Sequence, residues 1–311
     1  MPDFGTYIFS DQVFNRLMSD DFVTSEHSQD IAHRQRERLI KILRTAIEND
    51  GHQLASQSND IAFSKHGSLF QRTMVGNANS SDIDMYVALN SNGYRLEDGE
   101  IGKGPYPNKN NPKLLSNPSF ARKWMKKIVI NALPENTNAV VKSSKRGVRL
   151  SNYGNPKRKY DIIPSFLFKD RDNYVHLIPN GNEWEWNPTV QDMSDTIYLG
   201  NRFSRDKKNK ILGFRDIIKA FKYVASERNL KDSHGINSFV LCLAVTFTYN
   251  WLAQSYYHSF ETNHIAISKV LEKLNSWIYR GYVCDPYTGK RINFNSHEIL
   301  TISNFYYLLG V

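Results

Sequence analysis

Apolar residues recur along this chain with two different periods, one typical of helices and the other of strands. In residues 25–48 the spacing is helical, and Ile31, Leu39 and Ile42 share one face, so we predict a long amphipathic helix there. The other helices that this spacing predicts cover 119–133, 211–228, 236–251 and 265–277.

Alternation with a period of two predicts a strand between Asp82 and Leu89, with one face in the core. The stretch 90–117 is rich in Asn, Gly, Pro and Lys, and we predict a long loop there. The other predicted strands cover 60–65, 139–150, 160–168 and 174–178. We therefore expect a mixed α/β part, residues 1–195, followed by a mostly helical part, residues 196–311.

The composition is that of a folded globular protein. Of its 311 residues 40% are hydrophobic and 13% are aromatic, which excludes disorder over most of the chain. The longest apolar run, 239–253, is too short to cross a bilayer, and the N-terminus does not resemble a secretory signal. The two cysteines, Cys242 and Cys284, give neither a disulfide framework nor a four-cysteine zinc site. We therefore expect a cytoplasmic protein with no membrane partner.

The net charge of +9 favours a polyanionic partner, and nucleoside triphosphates fit it as well as nucleic acid does. Basic residues are concentrated within 142–159 and 202–215. Each segment is either a solvated face or a surface that faces phosphates, and the sequence leaves both readings open. The first segment contains Lys142, Lys145, Arg146, Arg149, Lys157, Arg158 and Lys159.

Two carboxylates mark the strand at 82–89 as a candidate metal site. Asp82 and Asp84 are two residues apart and project from the same face, where they repel each other until a divalent cation binds between them. Carboxylate oxygens suit magnesium, whose coordination shell nucleotide phosphates can complete. Upstream, Gly67 and Ser68 fall at a turn where the backbone can approach phosphate oxygens and the serine hydroxyl can donate a hydrogen bond.

Asp161 is the candidate third carboxylate, because it stands alone in an otherwise apolar strand. On a strand beside 82–89 it would face Asp82 and Asp84. We therefore predict that the three acids hold two magnesium ions, or manganese in their place, for phosphoryl transfer. One ion would activate a ribose hydroxyl, whose proton Asp161 would accept, and the other would stabilise the leaving pyrophosphate.

These motifs resemble a known family. HGSLFQRTMVGNANSSDIDMYVAL resembles the Gly-Ser turn and Asp-x-Asp strand of polymerase β-like nucleotidyltransferases, and YDIIPSF resembles their third-aspartate strand. Further segments, FRDIIKAFKYVASERN and INSFVLCLAV among them, resemble the cGAS/DncV-like branch (CD-NTases), so that the resemblance spans roughly residues 25–300. It implies an α+β fold, in which a nucleotidyltransferase core (a mixed sheet with flanking helices) packs on a C-terminal helical lobe and a long N-terminal helix braces both.

The resemblance also implies an activity and further site residues. Such enzymes condense ribonucleoside triphosphates into a cyclic di- or trinucleotide second messenger, which in bacteria signals phage infection. By position, Lys222 matches a lysine that contacts the triphosphate tail, with Lys219 as a nearby substitute, and Ser238 matches a serine of the same phosphate pocket. Judged by the sequence itself, the lysines could equally be solvated and Ser238 could form a local hydrogen bond at a helix N-terminus.

Partners and competing functions follow from the same residues. We expect a monomer that uses nucleoside triphosphates, with nucleic acid neither required nor excluded, and the sequence leaves open whether a protein activator switches it on. A related enzyme could instead make linear 2′-5′ oligonucleotides or modify RNA or a small molecule. A non-enzymatic module that binds nucleic acid is a third reading, and the acids Asp82, Asp84 and Asp161 argue against it because they would repel phosphates.

Overall fold

The computed structural model describes residues 26–65, 82–91, 94–97, 100–103, 111–135, 137–170, 173–187, 214–254, 263–285 and 291–308. The described residues up to 187 form one compact unit and those from 214 onward form another. The predicted boundary near residue 195 falls outside these ranges and stays a prediction. None of the helices in the described ranges is both long enough and apolar enough to cross a membrane.

The first unit combines helices with a mixed sheet. Its helices are α1 (Glu26–Asn49), α2 (Asn59–Ala62), α3 (Asn111–Leu115) and α4 (Pro118–Ala132). Its strands are β1 (Phe63–Lys65), β2 (Asp82–Asn90), β3 (Tyr94–Glu97), β4 (Glu100–Lys103), β5 (Val140–Ser143), β6 (Val148–Tyr153), β7 (Arg158–Asp170), β8 (Asn173–Asn180) and β9 (Glu183–Asn187). Strands β3 and β4 form a separate hairpin.

Strands β2 and β7 lie at the centre of the main sheet. Within the described residues this sheet has seven strands, with β1, β2, β7, β6 and β5 as neighbours in that order. Strand β7 pairs in parallel with β2 along one edge. Along its other edge it pairs antiparallel with β6 and then with β8, and β8 pairs with β9. The parallel pair therefore fixes two segments that are far apart in sequence side by side.

Helix α1 packs against α4 and is joined to the sheet by polar contacts. Its residues Leu39, Leu43 and Ile47 are fully buried. The buried Arg158 side chain donates from Nε to Gln35 Oε1 (2.8 Å) and from Nη2 to the Ser28 carbonyl (3.1 Å). Because each of these groups would be costly to bury without a partner, the network fixes α1 against the start of β7.

The second unit is mostly helical, as predicted. Its elements are α5 (Phe214–Glu227), α6 (Leu230–His234), α7 (Ser238–Gln254), α8 (Asn263–Arg280), β10 (Tyr282–Cys284), β11 (Arg291–Asn293) and α9 (Ile302–Leu308). Helix α7 packs against both α5 and α8. Val240, Ala244 and Val245 of α7 are fully buried, which is why its sequence is apolar on nearly all sides.

Three of the sequence predictions need correction. The strand predicted at 60–65 begins only at Phe63. The residues before it belong to α2, where the Ala62 N–H donates to the Ser58 carbonyl (2.9 Å) and closes a helical turn. The strand predicted at 139–150 is two strands, since the chain reverses between Ser144 and Gly147. The long loop predicted at 90–117 contains the β3–β4 hairpin and α3, and β9 was not predicted.

Candidate active site

The central strands bring the predicted acids onto one face of the sheet. Asp84 of β2 is the direct cross-strand neighbour of Asp161 of β7. Asp82 lies two residues before Asp84 and therefore projects from the same face. In a sheet neighbouring strands are about 4.8 Å apart, so carboxylates from β2 and β7 meet at the distance of adjacent side chains. The sequence prediction that these segments are neighbouring strands is confirmed.

The opposite face of the same strands explains why the acids stay on this side. Ile83, Met85, Tyr160 and Ile162 are all fully buried. A slip of one residue in the pairing would place carboxylates in that core, and burying an unpaired charge is strongly unfavourable. The apolar residues between the acids therefore fix the register that brings the acids together.

An arginine bridges acids from the two strands. Arg149 of β6 donates from Nε to Asp161 Oδ1 and from Nη2 to Asp161 Oδ2, both at 2.9 Å. The same Nη2 also contacts Asp82 Oδ2 at 3.3 Å. The side chains are partly exposed, by 47% for Arg149, 38% for Asp82 and 21% for Asp161. The site therefore opens to solvent at its arginine.

Electrostatics agree with this geometry. The hydrogen bonds and the charge of Asp161 raise the pKa of the Arg149 guanidinium above its ordinary value, burial opposes them, and the charges of Asp82 and Asp84 add smaller increases. All three acids are therefore close enough to act on one cation.

A row of charge crosses the sheet at this level. Lys142 of β5 pairs with Arg149, which pairs with Asp161, which pairs with Asp84. One level away, Asp82 pairs with Lys159. At this level two basic residues on β5 and β6 thus adjoin two acidic residues on β7 and β2, and the basic segment at 142–159 contains the residues that border the acids. Arg158 is an exception within that segment, because its side chain is only 1% exposed and serves the core.

The carboxylate oxygens of Asp82, Asp84 and Asp161 are suitable ligands for a divalent cation. Three carboxylates converge from adjacent strands, and carboxylate oxygens are the ligands that magnesium prefers. In the part of the chain that the structure describes, no three Asp, Glu, His or Cys side chains form a ready-made ligand group. Asp161 and Asp82 instead turn toward the guanidinium of Arg149. Metal binding by Asp82, Asp84 and Asp161 therefore stays a prediction.

The remaining predicted site residues lie in other parts of the chain. Gly67 and Ser68 fall outside the described residues. In the helical unit, Lys219 forms an ion pair with Asp216 on its own helix, with Nζ to Oδ1 at 3.2 Å. Lys222 is buried, with 8% exposure, so it is not a solvated lysine on the polar side of α5.

Ser238 is the first residue of α7 and is exposed. The side chain that caps this helix belongs to Asn237, whose Oδ1 accepts from the Val240 N–H (3.1 Å). The phosphate-binding roles assigned to Lys219, Lys222 and Ser238 therefore stay predictions, as do those of Gly67 and Ser68.

Sequence reasoning placed Arg149 in a basic segment but did not connect it with the acids. The signal was present in the spacing of polar residues around the turn that follows Tyr153. A hairpin centred there pairs Leu150 with Tyr160 and Arg149 with Asp161. The connection was missed because a turn predicted at 152–156 does not define the register of the strands that it joins, and this register shifts between Leu150 and Tyr153.

A buried polar chain lies on the same face of β7 as Asp161. His176 of β8 is 1% exposed, and its Nδ1 is 3.0 Å from Ser165 Oγ. Ser165 Oγ donates to the Val87 carbonyl (3.3 Å), so we assign the Nδ1 proton to the histidine and take Ser64 as the donor to Nε2 (3.4 Å). Burial lowers the pKa of His176 from 6.5 to about 4. These hydrogen bonds link β1, β7 and β8 on the sheet face that carries the acids.

Comparison with known proteins identifies the fold. No protein-family model matches this sequence, and a search of curated proteins finds no match. The structure has the polymerase β-like nucleotidyltransferase fold, as the sequence resemblance implied. It is similar to two structures of CdnC, a CD-NTase from E. coli MS115-1, one in complex with HORMA-deltaN and one with ATP.

The similarity to CdnC extends over nearly the whole chain. In both comparisons the TM-score is 0.61 at 14% sequence identity, and the match covers 96% of this chain. It covers 87% of CdnC in the HORMA-deltaN complex and 88% of CdnC in the structure with ATP. At this level of identity the comparison shows a shared fold.

Proposed function

We propose that this chain is a nucleotidyltransferase that condenses ribonucleoside triphosphates into a cyclic di- or trinucleotide. The observation that carries the proposal is the in-register pairing of Asp84 with Asp161 on parallel strands, with Asp82 on the same face. The shared fold with CdnC, which has been solved with ATP, supports nucleoside triphosphates as substrates. A metal-binding role also gives a reason for three acids to face outward from a sheet whose other side is apolar.

In this proposal the carboxylates of Asp82, Asp84 and Asp161 hold two divalent cations. When bound, such ions activate a ribose hydroxyl and neutralise the charge of the leaving pyrophosphate. Asp161 accepts the hydroxyl proton on a carboxylate oxygen as the hydroxyl attacks the α-phosphorus of the donor triphosphate. Gly67 and Ser68 bind the donor phosphates, and Lys222, Lys219 and Ser238 contact the triphosphate tail.

A product assay tests the proposal directly. The purified protein is incubated with the four ribonucleoside triphosphates and magnesium or manganese, and the products are treated with phosphatase and analysed by mass spectrometry. A phosphatase-resistant cyclic product that disappears in Asp84→Asn is the expected result. A linear product with a free triphosphate would show a different enzyme of the same fold. No nucleotide transfer under either metal, with binding of nucleic acid instead, would contradict the proposed activity.

Regulation by a protein fits the same comparison. CdnC has been solved in complex with HORMA-deltaN, and we propose that this chain likewise responds to a protein activator, in a bacterial defence against phage. The product assay is therefore run with and without proteins that co-purify with the chain. Activity that is identical in both would argue against an activator.

A further inference from the structure

Arg149 occupies the space in which the acids of β2 and β7 converge. Its guanidinium uses both oxygens of Asp161, at 2.9 Å each, and reaches Asp82 Oδ2 at 3.3 Å. A bidentate contact of this kind is stronger and better oriented than an ion pair with a single hydrogen bond. The repulsion between the carboxylates, which a divalent cation would relieve, is thus relieved in this structure by a side chain of the protein itself.

The guanidinium and a metal ion would compete for the same carboxylate oxygens through their charges. Magnesium binds carboxylate oxygens at about 2.0–2.1 Å, so an ion on Asp82 and Asp161 would lie within a few ångströms of the guanidinium that contacts the same oxygens. A divalent cation in that position would also repel the fixed positive charge of Arg149. Binding of the cation to Asp82 and Asp161 therefore favours withdrawal of the guanidinium.

Arg149 is placed so that it can withdraw without opening the core. Its side chain is 47% exposed, on the solvent side of β6. The neighbouring core positions on the same strand, Val148 and Leu150, are fully buried and hold the backbone in place. Rotation of the arginine side chain thus changes the charge at the acids while the strand register stays fixed.

We propose that Arg149 is a positioning residue that acts as an internal counter-ion: it holds Asp82 and Asp161 together in the metal-free protein and competes with the divalent cation for them. The inference rests on the proposed function, because it concerns the metal site of that function. The competition sets a threshold for metal occupancy. It also keeps the acids paired before a cation arrives, which protects the fold from their repulsion.

Direct measurement of metal binding tests the competition. Binding of Mn²⁺ is measured by electron paramagnetic resonance without nucleotide, at low salt, for the wild type, Arg149→Gln and Arg146→Gln. Arg146 is the matched control, because it is an arginine of the same hairpin, 48% exposed, and pairs with Glu185 (3.2 Å) instead of with the acids. We expect about tenfold tighter binding in Arg149→Gln, equivalent to ~1.4 kcal/mol, and no change in Arg146→Gln.

Three further measurements extend the test, and none of them needs enzymatic activity. Without metal, Arg149→Gln should unfold at a lower temperature than Arg146→Gln. Added Mn²⁺ should raise the unfolding temperature more in Arg149→Gln than in the wild type. Arg149→Lys keeps the positive charge but loses the bidentate contact with Asp161. The affinity of this variant for Mn²⁺ should therefore lie between those of the wild type and Arg149→Gln. The advantage of Arg149→Gln should shrink at high salt, which weakens the arginine–carboxylate pairs.

The outcomes separate the inference from the function on which it rests. Equal or weaker Mn²⁺ binding in Arg149→Gln and Arg149→Lys, with binding lost in Asp84→Asn, would refute the competition and leave the metal site intact. Failure of every variant and of the wild type to bind Mn²⁺ would overturn the metal site and the inference together.

Discussion

Acidification should destabilise this protein through the buried side chain of His176. His176 is 1% exposed, and burial lowers its pKa from 6.5 to about 4. The folded protein therefore keeps the imidazole neutral to a lower pH than the unfolded chain does. Above pH 6.5 the ring is neutral in both states and contributes no pH dependence. Below pH 6.5 only the unfolded chain takes up the proton, so the free energy of unfolding falls as the pH falls.

The size of the effect follows from the two pKa values. Linkage gives a loss of about 2 kcal/mol at pH 5 and about 3 kcal/mol at pH 4, relative to neutral pH. The surroundings of the His176 ring agree with a neutral imidazole. Ser64 and Ser165 hydrogen-bond to it, the Tyr86 ring packs against it in a T-shaped contact, and burial is the cause of its lowered pKa.

Urea unfolding of the wild type and His176→Gln between pH 7.5 and pH 4 isolates this histidine. The glutamine cannot take up a proton, and every other titrating group is common to both proteins. We expect His176→Gln to be the less stable protein at pH 7.5, because the Ser64–His176–Ser165 hydrogen bonds are disturbed. Its deficit should shrink by about 3 kcal/mol on going to pH 4. A deficit that stays constant with pH would refute the reasoning, as would a His176 resonance, identified by its absence in His176→Gln, that titrates near pH 6.5.

Three further changes test the fold and the site. Arg158→Met should lower the free energy of unfolding by about 2 kcal/mol, because the Ser28 carbonyl and Gln35 lose a buried donor. Lys157 is the neighbouring residue and is exposed, so Lys157→Met should lower the free energy of unfolding by less than about 0.5 kcal/mol in the same denaturation assay. Gly147→Ala should cost about 1–3 kcal/mol, because the added methyl group would collide with the Ile162 carbonyl oxygen, and an unchanged melting temperature would contradict the close approach of β6 to β7. Asp84→Asn should lower nucleotidyl transfer at least about a thousandfold, equivalent to ~4 kcal/mol, with an unchanged circular dichroism spectrum, and full activity would exclude a role for this acid.

The sequence predicted best where a single period runs through a long segment. Helix α1 begins and ends within a residue or two of the predicted 25–48, and α7 and α8 overlap their predicted ranges. The acids of the candidate site were found for a related reason. An Asp-x-Asp pair on an alternating strand and a lone Asp in an apolar strand are visible locally, and the parallel pairing of β2 with β7 places them together.

Features that depend on tertiary contacts were harder to predict. The alternation in β2 stops after Asp84, because Tyr86 packs with Ile163 and Ile178 on the acid face and the strand is buried on both sides from there on. The hairpin of β5 and β6 was predicted as one strand, since its turn has no Pro and only one Gly, Gly147. The role of Arg149 follows from strand register, which periodicity alone does not define.

The parallel pairing of β2 with β7 also constrains how a newly made chain acquires its site. Residue 84 can meet residue 161 only after the ribosome has released the intervening hairpins and helices together with β7 itself. Pairings that span this much sequence form late and slowly, because loop closure precedes the stabilising contacts. A nascent or truncated chain that stops short of β7 would therefore carry Asp82 and Asp84 without their third acid, and the candidate site would form only after the sheet is complete.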